Sequence, residues 1–230
     1  MFKRIQIFWL ILIVMLGTNQ VLAQTYTGLG SWNIINLKYK ATPKWSYFAE
    51  AQLRSLKFYD HFHYYEYKGG VNYHAYPNAI FSLGAGSYQT YREGGNFETP
   101  KNNDEIRLWP MVTLSQRVGR INIEQRYRAE MRFTSNGYRN RFRYRLEIAK
   151  PFGKEENGFR PFRISFSNEL FFTNNEPYFE RNRMLLALAY KPNKSSTLHV
   201  GYLHQFDYKI NDETGTDFLQ IGYATELFGK

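Results

Sequence analysis

One stretch of the sequence, residues 120–150, restricts the possible folds more than any other. From Ile121 to Phe133 apolar residues alternate with charged or polar ones, and the same alternation returns in the second half of the stretch. Side chains with a period of two lie on opposite faces of a β-strand. Asn136-Gly137 separates the two halves, and this dipeptide is the strongest short signal for a β-hairpin. We therefore predict an antiparallel hairpin with one charged face and one apolar face.

The register of this hairpin follows from the position of its turn. A two-residue turn at Asn136-Gly137 places Glu130 opposite Arg143 and Arg126 opposite Glu147. It also places arginine opposite arginine at two further positions, so unlike charges must also meet diagonally or on neighbouring strands. The two charged faces coincide in this register, whereas a slip of one residue would separate them.

The alternation continues through the rest of the chain from Thr25, in eleven candidate strands of about 12 to 15 residues joined by turn sequences. Such two-faced strands suit either a soluble sheet with one solvated side or a membrane barrel with its apolar side in lipid. Soluble strands are usually about 5 or 6 residues long, whereas about 9 to 11 residues cross a bilayer at a tilt. Strand length therefore favours an all-β, antiparallel up-and-down transmembrane β-barrel.

The charged faces are predicted to form an ion-pair network in the lumen of the barrel. Arginine is the main cation within the strands, whereas Lys44, Lys101 and Lys154 lie in or beside turns. Arginine suits enclosed ion pairs because its planar fork can bind two carboxylates and is weakly hydrated. A freely solvated face, the alternative, would have used lysine as readily. The predicted network residues are Glu50, Arg54, Glu105, Arg107, Glu124, Arg126, Arg128, Glu130, Arg132, Arg141, Arg143, Arg145, Glu147, Arg163, Glu169, Arg181 and Arg183.

Aromatic residues near the strand ends are predicted to form girdles at the two membrane interfaces. Packing within a core or across strands is the alternative for these side chains. The last strand has an aromatic residue near its end, Phe228, as barrel-assembly machinery tends to require. The residues assigned to the girdles are Trp45, Tyr59, Tyr76, Tyr91, Trp109, Tyr138, Tyr178, Tyr190 and Tyr208.

The first 23 residues are predicted to be a secretory signal peptide. Lys3 and Arg4 precede an apolar run that ends at Leu16, and small or modest residues occupy the cleavage positions up to Ala23. The run is shorter than the roughly 20 residues of a membrane-spanning helix. Removal of the segment lowers the formal charge from +10 to +8, and the chain has no cysteine. Residues 24–230 are therefore expected to form one exported barrel domain without disulfides.

The number of strands is harder to predict. The pattern contains eleven candidates, but bacterial barrels normally have an even number. We therefore predict ten strands, with twelve as the second choice. Ten strands require residues 24–40 to be partly a plug or leader, or one strand to have been divided wrongly. Connections after strands 2, 4 and 10 look more open than those after strands 1, 3, 5 and 9, which predicts that the open set is extracellular.

Several short motifs resemble a known family. They begin at Trp45 (W-x-x-F-x-E-x-Q-x-R), Glu105 (E-x-R-L-W-P), Glu124 (E-x-R-Y-R-x-E-x-R-F), Asn168 (N-E-L) and Arg181 (R-N-R). Together they resemble the outer-membrane family known as domain of unknown function 2490, over nearly the whole mature chain. The resemblance implies an outer-membrane barrel of a diderm, Gram-negative bacterium. It implies no catalytic residue and no substrate.

No catalytic or metal-binding pattern stands out in the sequence. A hydrolase needs a nucleophile held by a base, and no serine has the context of a nucleophile elbow. His61-Phe62-His63 has no acidic partner at a convincing spacing for a metal. We therefore expect no enzyme activity and no cofactor. The arginines are spread over many strands, which argues against nucleic acid as a partner.

The sequence thus predicts an outer-membrane protein with a structural or binding role in the envelope, whose ligand is unknown. Its expected partners are outer-membrane lipid and, during biogenesis, the barrel-assembly machinery. The excess of arginine over acid from Arg139 to Arg145 makes a narrow anion-preferring pore the first alternative. A lipid-modifying outer-membrane enzyme, with His74 or His204 as the residues to test, is the second alternative.

Overall fold

The structure, a computed structural model, describes residues 24–155, 158–208 and 213–229 and is a closed all-β barrel. The predicted signal peptide, residues 1–23, lies outside the described residues. Among the residues described, no helix is long and apolar enough to cross a membrane. The strands are β1 (Gln24–Lys40), β2 (Trp45–Lys57), β3 (Asp60–Tyr76), β4 (Ala79–Arg92), β5 (Glu98–Val118), β6 (Ile121–Thr134), β7 (Gly137–Phe152), β8 (Phe162–Thr173), β9 (Phe179–Tyr190), β10 (Ser196–Asp207) and β11 (Thr214–Phe228).

The described part of the chain has eleven strands, so the predictions of ten and of twelve strands are wrong. Successive strands pair antiparallel, and the sheet closes where β1 pairs with β11 in parallel, from Ser31 opposite Leu219 to Lys40 opposite Phe228. Parallel closure is the geometric result of an odd number of up-and-down strands. Residues 24–40 are a strand and neither a plug nor a leader, because without them the facing edges of β2 and β11 would be left unpaired.

The hairpin of β6 and β7 forms as predicted, but its register differs by two residues. Glu130 lies opposite Arg141 rather than Arg143, and Arg126 lies opposite Arg145. The predicted direct pairs of this hairpin are therefore wrong. Its two faces are nevertheless preserved, because a shift of two residues returns every side chain to the same side of the sheet.

The side chain of Thr134 accounts for the position of the turn. Thr134 lies opposite Gly137, so the turn consists of Ser135 and Asn136. Thr134 Oγ1 accepts a hydrogen bond from the backbone N–H of Asn136 at 3.0 Å and donates one to the backbone oxygen of Gly137 at 2.8 Å. Gly137 has a φ of 106°, a conformation that L side chains rarely adopt. The glycine therefore serves as the first residue of β7 rather than as a turn residue.

The two faces of the sheet have opposite chemistry. Glu105, Glu130 and Arg141, which point inward, are almost fully buried. Large apolar side chains cover the outside, where Ile35 and Leu83 are each 62% exposed. Other exposed apolar residues of this outer surface include Leu108, Tyr127, Phe142, Ile164, Leu186, Leu188, Val200, Tyr202 and Ile221. The barrel is therefore polar inside and apolar outside, the reverse of a water-soluble protein.

Trp109 is inside the barrel, so its assignment to an interface girdle is wrong. It is 1% exposed and lies opposite Gly84 in the register of β4 and β5. A Cβ atom at Gly84 would lie 2.4 Å from Cε2 of the Trp109 ring, so the indole occupies the space that a side chain would need. Trp109 has the same two-residue spacing as Glu105 and Arg107, which could have indicated its inward direction.

The barrel has two mouths, named here after the chain termini. The N-terminal mouth, where β1 begins, holds the connections after β2, β4, β6, β8 and β10, and the C-terminal mouth, where β11 ends, holds the others. The connection after β2 contains only Phe58 and Tyr59, so the expectation of an open loop there is wrong. At the C-terminal mouth, by contrast, β7 ends at Phe152 and β8 begins only at Phe162. Loop length therefore does not distinguish the two mouths as the sequence suggested.

Candidate functional site: the arginine-rich lumen

The interior of the barrel contains a central cavity and a further cavity near each mouth. The central cavity has a volume of about 510 Å³. The cavity at the N-terminal mouth, named here the vestibule, is about 1120 Å³ and is lined by residues such as Arg139, Thr173 and Asp207. A cavity of about 570 Å³ lies near the C-terminal mouth, beside Arg117 and Glu124. The lumen is thus neither a wide channel nor a solid core.

The lining of the central cavity contains about twice as many cations as carboxylates. Every predicted network residue lines this cavity except Glu124, Glu130, Glu147 and Arg163. Its cationic lining residues are Arg54, Lys68, Arg107, Arg126, Arg128, Arg132, Arg141, Arg143, Arg145, Arg181 and Arg183, and its carboxylates are Glu50, Glu66, Glu105, Glu169 and Glu180.

Glu130 is the centre of the largest group of ion pairs. Its carboxylate is 1% exposed and has four guanidinium groups within 4 Å. The nitrogen–oxygen distances are 2.7 Å to Arg143, 3.4 Å to Arg128, 3.6 Å to Arg141 and 3.9 Å to Arg107. The carboxylate therefore links cations from β5, β6 and β7.

Two further carboxylates connect this group to neighbouring strands. Glu105 pairs with Arg107 at 2.7 Å and also with Arg132. Both oxygens of Glu169 on β8 accept hydrogen bonds from Arg143 at 2.9 Å, and Arg126 lies 2.8 Å away. Opposite charges thus also meet diagonally and across neighbouring strands, because direct pairing in β6 and β7 places Arg126, Arg128 and Arg132 opposite other arginines.

A second group of ion pairs lies on β2 and β3 and includes two residues absent from the predicted network. Glu66 is 2% exposed and pairs with Arg54 at 3.3 Å and with Lys68 at 2.5 Å. Lys68 also pairs with Glu50 at 2.5 Å. Glu66 and Lys68 continue the alternation of β3, so the pattern already indicated their inward direction. Their pairing with β2 could not be predicted because it depends on the register.

Two other acidic partners were missing from the predicted network. Glu180 on β9 accepts a hydrogen bond from Arg141 Nε at 2.9 Å and lies 3.6 Å from Arg132. Asp207 on β10 pairs with Arg181. Glu180 lies at the register irregularity between β8 and β9, between Phe179 and Arg181, which interrupts the simple alternation of this strand. Prediction from the two-residue period alone therefore does not place Glu180 in the lumen.

The remaining predicted network residues meet near the C-terminal mouth. Arg145 lies 2.5 Å from Glu124 and 3.9 Å from Glu147. Glu147 also pairs with Arg163 of the next strand. Glu124, Glu147 and Arg163 line the cavity at this mouth.

Aromatic rings separate several of the arginines. The guanidinium carbon of Arg54 lies 3.4 Å from the ring centroid of Trp32, and that of Arg183 lies 4.8 Å from the same centroid. Arg183 is also 4.8 Å from the centroid of Phe171, and Arg143 is 4.6 Å from it. Arginine and aromatic groups therefore alternate from β2 through β1, β9 and β8 to β7. Sequence reasoning missed Trp32 and Phe171 as lumen residues, although both share the period of inward neighbours.

Hydrogen bonds interlock the connections at the rim of the N-terminal mouth. The backbone N–H of Phe62 donates to the side-chain oxygen of Asn96 at 2.8 Å, and the N–H of Phe97 donates to the backbone oxygen of Phe62. The N–H of His61 donates to Asp60 at 2.8 Å, which lowers the pKa of the Asp60 carboxyl. These bonds hold Phe97 and His61 at positive φ.

The histidines named for the enzyme alternative have side-chain partners. His74 Nε2 lies 2.9 Å from Ser46 Oγ, but Ser46 is fully buried, so no substrate can reach that oxygen in this conformation. His204 pairs with Asp217 at 2.7 Å, and Asp217 also accepts a hydrogen bond from Tyr202 at 2.6 Å. No group of three or more His, Cys, Asp or Glu residues is placed to hold a metal ion within the described ranges.

Comparison with known proteins places this barrel in a family. A family model described as "Protein of unknown function (DUF2490)" matches residues 29–216. No curated protein and no solved structure matches the chain. The matched segment runs from β1 into β11 and includes every residue of the predicted network.

Proposed function

The chain belongs to the DUF2490 family of proteins of unknown function, and from this premise we propose that it is an outer-membrane β-barrel with a structural or binding role in the envelope. The observation that best supports this proposal is the distribution of its side chains. Ion pairs line the inside, and exposed apolar side chains cover the outside. In water this arrangement would leave the apolar surface hydrated, whereas a bilayer would cover it.

The outer surface has the composition of a lipid-facing belt. Leu83 and Leu186 are 62% and 54% exposed near the middle of their strands. Soluble monomers rarely expose a contiguous apolar surface larger than a few hundred square ångströms. Aromatic contacts lie nearer the mouths, for example Phe162 with Tyr190 at 5.3 Å and Phe133 with Tyr138 at 5.2 Å. Aromatic girdles on both sides of an aliphatic belt are typical of transmembrane barrels.

The inner surface supports a scaffold or binding barrel better than a general pore. Small barrels have an interior that side chains can largely fill, and wide aqueous channels occur at about sixteen strands. Glu130 and its four arginine neighbours join three adjacent strands across the inner wall. Such a network holds the wall in one register and narrows the passage between the two mouths.

The proposal also predicts how the chain is exported and assembled. The predicted signal peptide would direct the chain to the periplasm, and the assembly machinery would recognise the end of β11 near Phe228. The C-terminal mouth would then face the periplasm and the vestibule would face outward. Lipid of the outer membrane would contact the apolar belt.

Fractionation of the bacterial envelope tests the location. We expect the mature chain in the outer-membrane fraction, released only by detergent, and folded and unfolded forms that migrate differently on a gel without boiling. Recovery of the mature chain in the soluble periplasm without detergent would contradict the proposal.

A narrow anion-preferring pore is a second candidate, favoured by the positive lining of the central cavity. Planar-bilayer recording distinguishes the two. Absence of conductance supports the closed scaffold, and small anion-selective steps support the pore. Cation-selective steps would contradict the assignment of the arginines to the lumen.

We expect no catalysis, because Ser46, the partner of His74, is fully buried and the acidic residues of the lumen neutralise arginines. Hydrolysis of phospholipid or lipopolysaccharide by the purified barrel, lost in His74→Ala or His204→Ala, would contradict this expectation.

A further inference from the structure

We propose that the central cavity is a binding site for a small oxyanion of the phosphate class, which enters through the vestibule and is held by Arg54, Arg143 and Arg183. The site consists of these three guanidinium groups and the rings of Trp32 and Phe171. This inference rests on the proposed function, because the cavity is the lumen of the proposed outer-membrane barrel.

Arg183 is the residue that most needs an anionic partner. Its Nε donates to the neutral side-chain oxygen of Gln205 at 2.8 Å, and within the described ranges it has no carboxylate within ion-pair distance. Its guanidinium group also lies near the rings of Trp32 and Phe171. An enclosed cation without an opposite charge is unfavourable, and an anion that binds beside it restores the balance.

Arg54 supplies an independent observation. Its side chain is more than nine-tenths buried, and its Nε has no hydrogen-bond partner among the described residues. Its Nη2 atom donates to Gln52 at 2.7 Å and to Glu66 at 3.3 Å, so one guanidinium donor is satisfied and another is not. Arg143 likewise has an unpartnered Nε, although its terminal nitrogens bind Glu130 and Glu169. Buried N–H donors of this kind are nearly always paired in folded proteins.

The aromatic rings cover the faces of the guanidinium groups and leave their in-plane N–H groups free to bind an anion. Arg54 and Arg183 both lie over Trp32, and Arg183 and Arg143 both lie over Phe171. A ring covers the face of a guanidinium group and leaves its N–H donors, which lie in the plane, available to an acceptor. N–H donors from several guanidinium groups match the tetrahedral oxygens of phosphate better than a spherical halide, because each oxygen can accept from a different donor.

The size and access of the cavity define the ligand class. A volume of about 510 Å³ admits inorganic phosphate or a small phosphate ester but no polymer. His63, Thr90, Glu180, Arg181 and Gln205 line both the central cavity and the vestibule, so the two spaces adjoin. The ligand therefore enters from the wider N-terminal mouth.

Titration of the detergent-folded mature barrel with inorganic phosphate tests the site. Calorimetry should show binding, and the melting temperature should rise by several degrees at saturation, because a ligand that binds only the folded state stabilises it. Sodium chloride at the same ionic strength should give no comparable shift. Glycerol phosphate in a parallel titration identifies the source: tighter binding of inorganic phosphate indicates a free ion, and tighter binding of the ester indicates an organic phosphate.

Arg183→Gln should weaken phosphate binding at least about tenfold, since it removes a charge-assisted contact. Arg120→Gln, in the exposed turn between β5 and β6, is the matched control and should bind as the unaltered barrel does. If Arg183→Gln fails to fold, Arg183→Lys keeps the charge without the fork and should still bind more weakly than the control.

Equal affinity in the Arg183 variant and the control, or an equal shift with chloride and phosphate, would overturn the inference. If the barrel fractionates with the outer membrane but binds neither inorganic phosphate nor glycerol phosphate, this site is refuted and the proposed function is unaffected. A chain found in the soluble periplasm would instead refute the proposed function.

Discussion

Removal of the Glu130 carboxylate should be among the most destabilising single changes in this barrel. In Glu130→Ala four guanidinium groups lose a shared partner. Arg107, Arg141 and Arg143 keep another carboxylate within ion-pair distance, but Arg128 keeps none among the described residues. The variant thus leaves one buried cation without an opposite charge.

The magnitude follows from that uncompensated charge. Removing one partner of a buried ion pair costs about 3–5 kcal/mol of unfolding free energy. For a chain of this length about 1 kcal/mol corresponds to roughly 2–4 °C, so the melting temperature should fall on the order of 10 °C. Arg128→Met combined with Glu130→Gln should recover part of the loss, because replacing both charges by neutral groups of similar size leaves no unpaired ion.

Heat-dependent gel migration of the detergent-folded barrel measures this effect, and urea unfolding in lipid vesicles gives the free energy. Glu93→Ala is the matched control, because Glu93 is exposed in the connection after β4. A decrease no larger for Glu130→Ala than for Glu93→Ala would show that the inner face is freely solvated, and the argument for an enclosed network would be refuted.

Two further predictions concern packing and the outer surface. Gly84→Ala should lower the unfolding free energy by about 1–3 kcal/mol and alter the fluorescence of Trp109, because the new methyl group overlaps the indole; Gly28→Ala, with its nearest contact at 3.9 Å, should change little. Leu186→Arg should reduce the stability of the vesicle-folded barrel by about 2–4 kcal/mol if β9 crosses a bilayer, whereas Tyr178→Arg near the interface should cost about 0–1 kcal/mol. Equal effects of the two arginine substitutions would argue against a lipid-facing belt.

The alternation of residue types by itself determined the strands and their two faces. Side chains of a strand must point alternately to opposite sides, so the period of β6 and β7 is sufficient to place Glu130 and Arg143 on one face and Tyr127 on the other. The same local rule places residues such as Trp109 and Phe171 inside, although the sequence reasoning did not apply it to them.

The tertiary structure decided which strands and which charges meet. A two-residue turn at Ser135-Asn136 and one at Asn136-Gly137 have similar local patterns, and the hydroxyl of Thr134 selects a register two residues from the predicted one. The local pattern contains eleven candidate strands, but only the parallel closure of β1 on β11, a contact between the two ends of the described chain, decides that all eleven belong to the barrel. The partners of Glu130 and the isolation of Arg183 depend in turn on that register and closure, because both result from distances across the barrel.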